Sequence, residues 1–311
     1  MTDANYTNGV IAVKEKQLLG EKLLRFTEMT AQEVLRALAE SGFGEGQDTE
    51  TICNAEERAL DDFIREYAPS KAAVKYLLAP YDFHNAKALC KAEILHTDAE
   101  AMLAPEGLIP IGKLTAAIKD REYGLLSGEI AKAVKTALET ENISGAEIGV
   151  LFDNAMQSYL LSELKWSPLL KKLLVQRVDQ ENILTALRSR TPEQAEGLFV
   201  QGGKLGAKEL LKLFDEDKAG TNLFKGTAYE EFYGLCLRAR ERGLPFAEAE
   251  CYLESFEAEY FRARRYELEG KEPFLYYVFR RRAEINNVRI ILVCLGAGLS
   301  AHEIKKRLRS V

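Results

Sequence analysis

The sequence predicts an all-α fold, on three observations. Its 311 residues are dominated by Ala, Leu, Glu, Lys and Arg, which have high helix propensity, while runs of β-branched residues are short. Only eight prolines occur, which leaves room for long helices. Apolar residues recur at helical spacing, and the alternation typical of strands is scarce. A hydrophobic content of 47% is enough for a substantial core.

Six segments carry the features of a helix start. Four resemble capping boxes, in which Ser or Thr is followed three residues later by Glu: Thr30–Glu33, Thr97–Glu100, Ser144–Glu147 and Ser300–Glu303. In the other two, a proline follows Ser167 or Thr191 and occupies the first helical position, where its missing N–H costs no hydrogen bond.

Apolar stripes predict which helix faces are buried. The two clearest are Phe152, Ala155, Met156, Tyr159 and Leu160, and Ile285, Val288, Ile291, Leu292 and Leu295. The Gly296-Ala-Gly298 stretch follows the second stripe, so we interpret it as a helix C-cap rather than a phosphate loop. Residues 41–50 and 215–226 are predicted to be surface loops.

A polar pair of the form acid-x-x-Asn recurs in the chain, each time before an apolar run. The pairs are Asp82 with Asn85, Asp179 with Asn182, and Glu284 with Asn287; their asparagines lie 97 and 105 residues apart. A second segment also recurs: Glu106–Leu114 resembles Glu196–Leu205, and Leu18–Leu24 is a candidate third copy. This periodicity predicts three related helical units of about 100 residues, with bounds 1–105, 106–196 and 197–311.

Residues three apart share one helix face, which allows two interpretations of the polar pair. The amide could position a catalytic carboxylate, or both side chains could anchor a helix start to an adjacent segment. A single active site would not need three copies, so recurrence favours the structural role.

The net charge of −6 argues against a nucleic-acid partner. Residues 262–309, however, hold twelve Arg or Lys and five Asp or Glu, a net of +7. Such a segment suggests an acidic partner, although solvated helix faces explain it equally well. Within it, Arg280, Arg281 and Arg282 are the candidate partner interface.

Signals for catalysis, cofactors or metals are missing from the sequence. The three histidines form no zinc motif, and neither a P-loop nor a G-x-S-x-G motif occurs. Acidic runs at Asp61-Asp62 and Asp215–Asp217 leave a carboxylate enzyme as an alternative, but they are typical of solvated helix edges and loops. Five widely spaced cysteines without C-x-x-C indicate reduced thiols in the cytosol.

The amino terminus has no signal-peptide pattern. The longest apolar run, Ile290–Leu299, is about half the length of a membrane span, so we expect no bilayer insertion.

The carboxyl-terminal residues resemble the signature of the C subunits of bacterial and archaeal A/V-type ATPases, whose eukaryotic counterparts are the d subunits. The matching features are Glu272-Pro273, the apolar-aromatic stretch 274–279, Glu284 with Asn287, Val288–Leu292, Gly298 and the amphipathic segment 303–308. Residues 9–44 are similar to the family's opening helices, although Phe43 stands where the family usually has tyrosine.

This resemblance implies a funnel of three similar helical units around a pseudo-threefold axis. It also implies a non-catalytic rotor component on the cytoplasmic face of the membrane, without a nucleotide site. The partners would be the D and F subunits of the central shaft and the loops of the membrane rotor ring. A stand-alone helical scaffold that binds another protein is the alternative.

Overall fold

A computed structural model describes residues 3–44, 46, 48–126, 128–214, 219–267 and 270–310. Helices are the regular secondary structure of these residues, with no β-strand among them, which confirms the predicted all-α class. The α-helices are α1 Ala4–Lys14, α2 Lys22–Phe26, α3 Ala31–Glu40, α4 Thr49–Tyr67, α5 Lys71–Leu95, α6 Ile111–Lys119, α7 Gly128–Glu139, α8 Gly145–Glu163, α9 Pro168–Arg188, α10 Pro192–Glu196, α11 Ala207–Leu211, α12 Ala219–Phe224, α13 Glu230–Arg242, α14 Ala247–Arg262, α15 Glu272–Gly296 and α16 Ala301–Lys305. Short 3-10 turns lie at Glu15–Gln17, Glu100–Met102, Tyr123–Leu125 and Lys212–Phe214.

The chain forms two compact units. The terminal unit combines Met1–Ala73 with Glu250–Val311. Its centre is α15, which packs along α4 and contacts α1, α2, α3 and α16. Aromatic rings fill the interface with α4: Phe63 stacks on Phe274 (5.7 Å between centroids) and meets Tyr277 edge-on (5.0 Å). Stacked and edge-to-face rings of this kind add to the free energy gained by burying their area.

The middle unit comprises Val74–Ala249. One continuous core joins α5, α6, α7 and α8 around side chains such as Phe83, Leu114, Val134, Ile148 and Phe152. α9 contacts α8 and packs against α13. Most residues of the two predicted apolar stripes face the core. The buried ones are Phe152, Ala155 and Leu160 in this unit and Ile285, Val288, Ile291 and Leu292 in the terminal one; Met156, Tyr159 and Leu295 are half-buried.

Most predicted helix ends are confirmed. Thr30, Ser144 and Ser300 form complete capping boxes, and α9 and α10 begin at Pro168 and Pro192. α15 ends in a Schellman motif, where Gly298 adopts a positive φ of 73° and Leu299 N–H donates to the carbonyl of Cys294 (3.0 Å).

Two local predictions were wrong. Thr97 does not start an α-helix; only the 3-10 turn Glu100–Met102 follows, and the Glu100 N–H donates to Asp98 Oδ1 (3.1 Å) instead of to the Thr97 side chain. The break at 215–226 is not entirely a loop, since residues 219–224 form α12. Residues 215–218 lie outside the described residues.

Candidate functional site

The three acid-x-x-Asn pairs lie near the middle of long helices rather than at helix starts. Asp82 and Asn85 belong to α5, Asp179 and Asn182 to α9, and Glu284 and Asn287 to α15, and all six side chains are buried. The prediction of helix-start positions was therefore wrong. Apolar residues continue on both sides of each pair, so the local pattern resembles a cap while the helix runs through it.

The first pair binds the segment that follows α5. Asn85 holds Ala104 at two points: its Nδ2 donates to the Ala104 carbonyl (2.7 Å) and its Oδ1 accepts from the Ala104 N–H (2.8 Å). Asp82 Oδ1 accepts from the backbone N–H groups of Leu108 and Ile109, both at 2.8 Å. Two side chains one helical turn apart thus fix the path of a non-helical segment.

The second pair repeats this arrangement in α9. Asn182 makes the same two-point contact with Val200, both hydrogen bonds being 2.8 Å long. Asp179 Oδ1 accepts from the N–H of Leu205 (2.9 Å), and its Oδ2 accepts from the hydroxyl of Tyr229 (2.5 Å). The carboxylate therefore joins two separate segments to one helix.

The third pair, in α15, binds both ends of the chain. Asn287 contacts Arg309 at two points, donating to its carbonyl (3.0 Å) and accepting from its N–H (2.7 Å). Glu284 Oε1 accepts from the N–H of Gly20 (2.9 Å), 264 residues earlier in the sequence. We call each set of bonds a backbone clasp.

Glycines give the backbone room to approach two of the carboxylates. A Cβ atom on Gly107 would stand 2.7 Å from Asp82 Oδ1, and one on Gly203 would overlap Asp179 Oδ1. Both glycines lie in the recurring segment found in the sequence, next to Glu106 and within Glu196–Leu205. The two glycines are not equivalent positions of that segment, since Gly107 matches Gly197 and Gly203 matches Gly112, so the recurrence did not indicate their role.

Arg281 is a core residue and not an exposed interface residue, so that part of the predicted interface is wrong. Its guanidinium bonds Glu56 Oε2 (Nη2 2.5 Å) and Glu284 Oε2 (3.2 Å), and it lies over the ring of Phe43. Glu56 Oε1 also accepts from Gly44 N–H (2.6 Å). Glu56 lies 225 residues before Arg281, so no local sequence pattern indicated this cluster.

Arg280 and Arg282 are half-buried. The Arg280 Nε stands 4.0 Å from Glu284 Oε1, and its Nη1 donates to the hydroxyl of Tyr276 (3.2 Å). Neither residue presents a freely projecting cation in the way that the run of three arginines suggested.

Burial is the main cause of the shifted pKa values of Asp179 and Tyr229 in the second clasp. It raises the pKa of Asp179, against the lowering effects of Tyr229 and the backbone N–H groups. Burial, together with hydrogen bonding to Asp179, also raises the pKa of Tyr229. The tyrosine hydroxyl therefore remains a donor to the carboxylate across the physiological range.

The structure describes only some of the other sequence candidates. Asp61 is paired with Arg65 (2.7 Å), and Asp215–Asp217 lie outside the described residues. The five cysteines, all of them among the described residues, form no disulfide bond, and burial raises the pKa of Cys53 to about 11 and that of Cys90 to about 12. The described part of the chain contains no group of three or more His, Cys, Asp or Glu side chains placed to hold a metal. None of the described helices combines the length and hydropathy that a bilayer span requires.

Fold and site thus define an all-helical protein in which the recurring polar pairs bind backbone. The chain belongs to the ATP synthase (C/AC39) subunit family, which consists of rotary ATPase components and whose model matches residues 7–307. It is 23% identical to the C subunit of the V-type sodium ATPase of Enterococcus hirae, over 86% of this chain and 84% of that protein. It is 25% identical to the C subunit of the V-type ATP synthase of Deinococcus radiodurans, over 70% of this chain and 69% of that protein.

Gly203→Ala should destabilise the protein by about 1–3 kcal/mol, because the added Cβ displaces a buried carboxylate from its N–H donor. Gly107→Ala should do the same at the first clasp. Urea unfolding measures both. Gly112→Ala is the matched control, since its Cβ would meet nothing within 4 Å. Equal stability of all three variants would contradict the clasp geometry.

Asp179→Asn should change how stability depends on pH. Because the folded-state pKa of Asp179 lies above the ordinary value of 3.8, its contribution is full below pH 3.8 and is lost as pH rises through the folded pKa. The wild type should therefore gain unfolding free energy relative to Asp179→Asn as pH falls from 7.

Glu147→Gln is the control with the opposite sign. Hydrogen bonds from Ser144 lower the pKa of Glu147, so its contribution is present above the ordinary pKa and is lost on acidification. Parallel pH profiles for wild type and Asp179→Asn in urea unfolding would refute the shift at Asp179.

Arg281→Gln should cost about 3–5 kcal/mol, because it leaves Glu56 and Glu284 buried without a counter-charge. Arg289→Gln is a matched control on the same helix. Arg289 also faces two glutamates of α4, Glu50 and Glu57, but it is half-buried and its partners are more exposed than Glu56 and Glu284, so a smaller cost of about 1 kcal/mol is expected. Thermal melting of both variants would show the difference; a stable Arg281→Gln would return Arg281 to the interface candidates.

Proposed function

We propose that the chain is a non-catalytic rotor component of the central stalk of an A/V-type ATPase. In this role it is a socket that couples the shaft, formed by the D and F subunits, to the membrane rotor ring during rotary ion transport. It would sit peripherally, on the cytoplasmic face of the membrane, and would carry no nucleotide site of its own. Membership of the ATP synthase (C/AC39) subunit family is the observation that carries this proposal.

The clasps support a tripled architecture for such a socket. With proposed units 1–105, 106–196 and 197–311, Asp82 of the first unit binds Leu108 and Ile109 at the start of the second. Asp179 of the second binds Leu205 of the third, and Glu284 of the third binds Gly20 of the first. This cyclic order is what three equivalent units would produce, and the pseudo-threefold funnel remains a prediction from the resemblance.

A torque-transmitting component needs stiffness more than it needs a reactive group. Close-packed helical interiors resist deformation. Buried hydrogen bonds between a helix and a distant backbone segment also oppose the sliding of that segment, because each broken bond leaves a polar group buried without a partner. The clasps therefore suit a part that carries mechanical load between two neighbours.

The test is a three-component reconstitution. The chain, the purified D–F shaft and the membrane ring in detergent are mixed, and complexes are separated by size-exclusion chromatography. We expect shaft and ring to co-elute only when the chain is present, with cross-links from the chain to both. The control omits the chain. If the chain binds neither the shaft nor the ring, the rotor role is rejected and a stand-alone scaffold is favoured.

A further inference from the structure

A groove on the middle unit runs along the first two turns of α9. Pro168, Lys171, Lys172 and Val175 follow one another at helical spacing along one wall. The facing walls are formed by Lys204 with Leu205 and by the stretch from Leu223 to Tyr229. We call this the α9 groove. Its volume is about 710 Å³, and eight residues of helix give it a length of about 12 Å.

The groove is apolar inside and positive at its edges. The apolar lining side chains include Pro168, Val175, Leu205, Leu223 and Phe224, and the exposed lysines around them are Lys171, Lys172 and Lys204. The carboxylate among the lining residues, Glu209, already accepts a hydrogen bond from Gly206 N–H (2.9 Å).

Two of these lysines have no counter-charge among the residues that the structure describes. Lys204 lies close enough to Asp179 to help lower its pKa, so part of its charge is already compensated. Lys171 and Lys172 form no ion pair with any carboxylate in the part of the chain that the structure describes. The α9 wall of the groove therefore carries positive charge that a partner can meet.

Trp166 extends this surface beyond the groove. It lies two residues before Pro168, on the turn between α8 and α9, and is 85% exposed. The turn is held in place: Leu164 is fully buried, and Ser167 N–H donates to its carbonyl (2.9 Å). Lys165 lies 5.8 Å from the centre of the indole ring. Tryptophan is enriched among the residues that dominate binding energy at protein interfaces, so an exposed Trp166 is a candidate anchor.

The second clasp fixes the walls of the groove. Asp179 is one turn along α9 from Val175 and binds Leu205 N–H and the Tyr229 hydroxyl at the same time. Tyr229 in turn packs edge-on against Phe224 (6.1 Å). The groove is therefore pre-formed, so a ligand does not have to order its walls on binding.

These features select one kind of occupant. A helix that lies in a groove presents apolar anchors at i, i+3 or i+4, and i+7, which fits a groove two turns long. Lysines without a counter-charge at the edge favour acidic residues on the flanks of that helix. A flat bilayer would meet Trp166 and the lysines but would leave the recessed apolar walls unfilled. The chain's net charge of −6 disfavours nucleic acid.

We propose that the α9 groove and Trp166 form the docking surface for an acidic amphipathic helix of another protein in the same complex. This inference rests on the proposed function, because that function identifies the complex whose proteins would supply the helix. It assigns the interface to the middle unit instead of the arginine run 280–282.

The first experiment places a photoreactive benzoyl-phenylalanine at position 166 in the assembled ATPase, followed by irradiation and mass spectrometry. We expect a cross-link to a Glu- or Asp-rich helical segment of one other protein of the complex. A cross-link to lipid, to a segment without acidic residues, or to nothing would overturn the proposal. Leu95, which is 63% exposed and does not line the groove, is the control position and should give no cross-link to that segment.

The second experiment reverses charge at the groove. The binding partner is the ATPase from which the native chain has been removed. At low salt, Lys171→Glu with Lys172→Glu should lower the affinity of the chain for it by about tenfold or more. The matched control, Lys113→Glu with Lys135→Glu, changes the net charge equally at two exposed positions outside the groove. Equal binding by both double variants would overturn the groove proposal and leave the proposed function intact. Absence of binding by the wild type would overturn both.

Trp166 also allows a label-free test of the membrane alternative. It is the chain's single tryptophan, and lipid vesicles contain none. With vesicles of equal parts phosphatidylglycerol and phosphatidylcholine, we expect no blue shift of its emission and no co-sedimentation. A shift that Lys171→Glu with Lys172→Glu abolishes would identify a lipid-binding surface and overturn the proposal.

Discussion

The structure depends on the need of buried polar groups for partners. Each clasp places a carboxylate and an amide inside a helical core, where an unbonded polar atom costs about 1–3 kcal/mol. The partners available are backbone groups of segments without helical hydrogen bonds of their own, such as Ala104, Val200 and Arg309. The buried side chain and the backbone of the segment therefore supply each other's hydrogen-bond partners.

The clasps also explain why sequence features that look unrelated belong together. The acid of each pair needs a backbone that comes within hydrogen-bonding distance, and at Asp82 and Asp179 glycine provides the space. Glu284, with a side chain one methylene longer, reaches Gly20 and has a second oxygen left for Arg281. The third pair is thus tied to an ion cluster in the terminal unit, whereas Asp179 is tied to Tyr229.

Features determined by local physics could be predicted from the sequence. The helical class, the capping boxes and the C-cap at Gly298 follow from residues within one turn of each other. The recurrence of the polar pairs was also visible, but their position along the helices was not, because a buried acid and a helix cap have the same local pattern. The roles of Glu56 and Tyr229 could not be predicted, since their partners lie 225 and 50 residues away.

The net charge of a sequence segment was a poor guide to the charge exposed on the surface, again because the partners of its side chains lie far away in the sequence. The net of +7 in residues 262–309 is partly neutralised by carboxylates outside that segment: Arg281, Arg289 and Arg309 pair with Glu56, Glu57 and Glu254. These glutamates come from other parts of the sequence, so the arginines join helices together instead of offering charge to a partner. In the middle unit, Lys171 and Lys172 meet no carboxylate among the described residues and remain available. A cation contributes to recognition only where the fold has not already supplied its counter-charge, and by that criterion the surface beside Trp166 is better suited to bind an acidic partner than the arginine run.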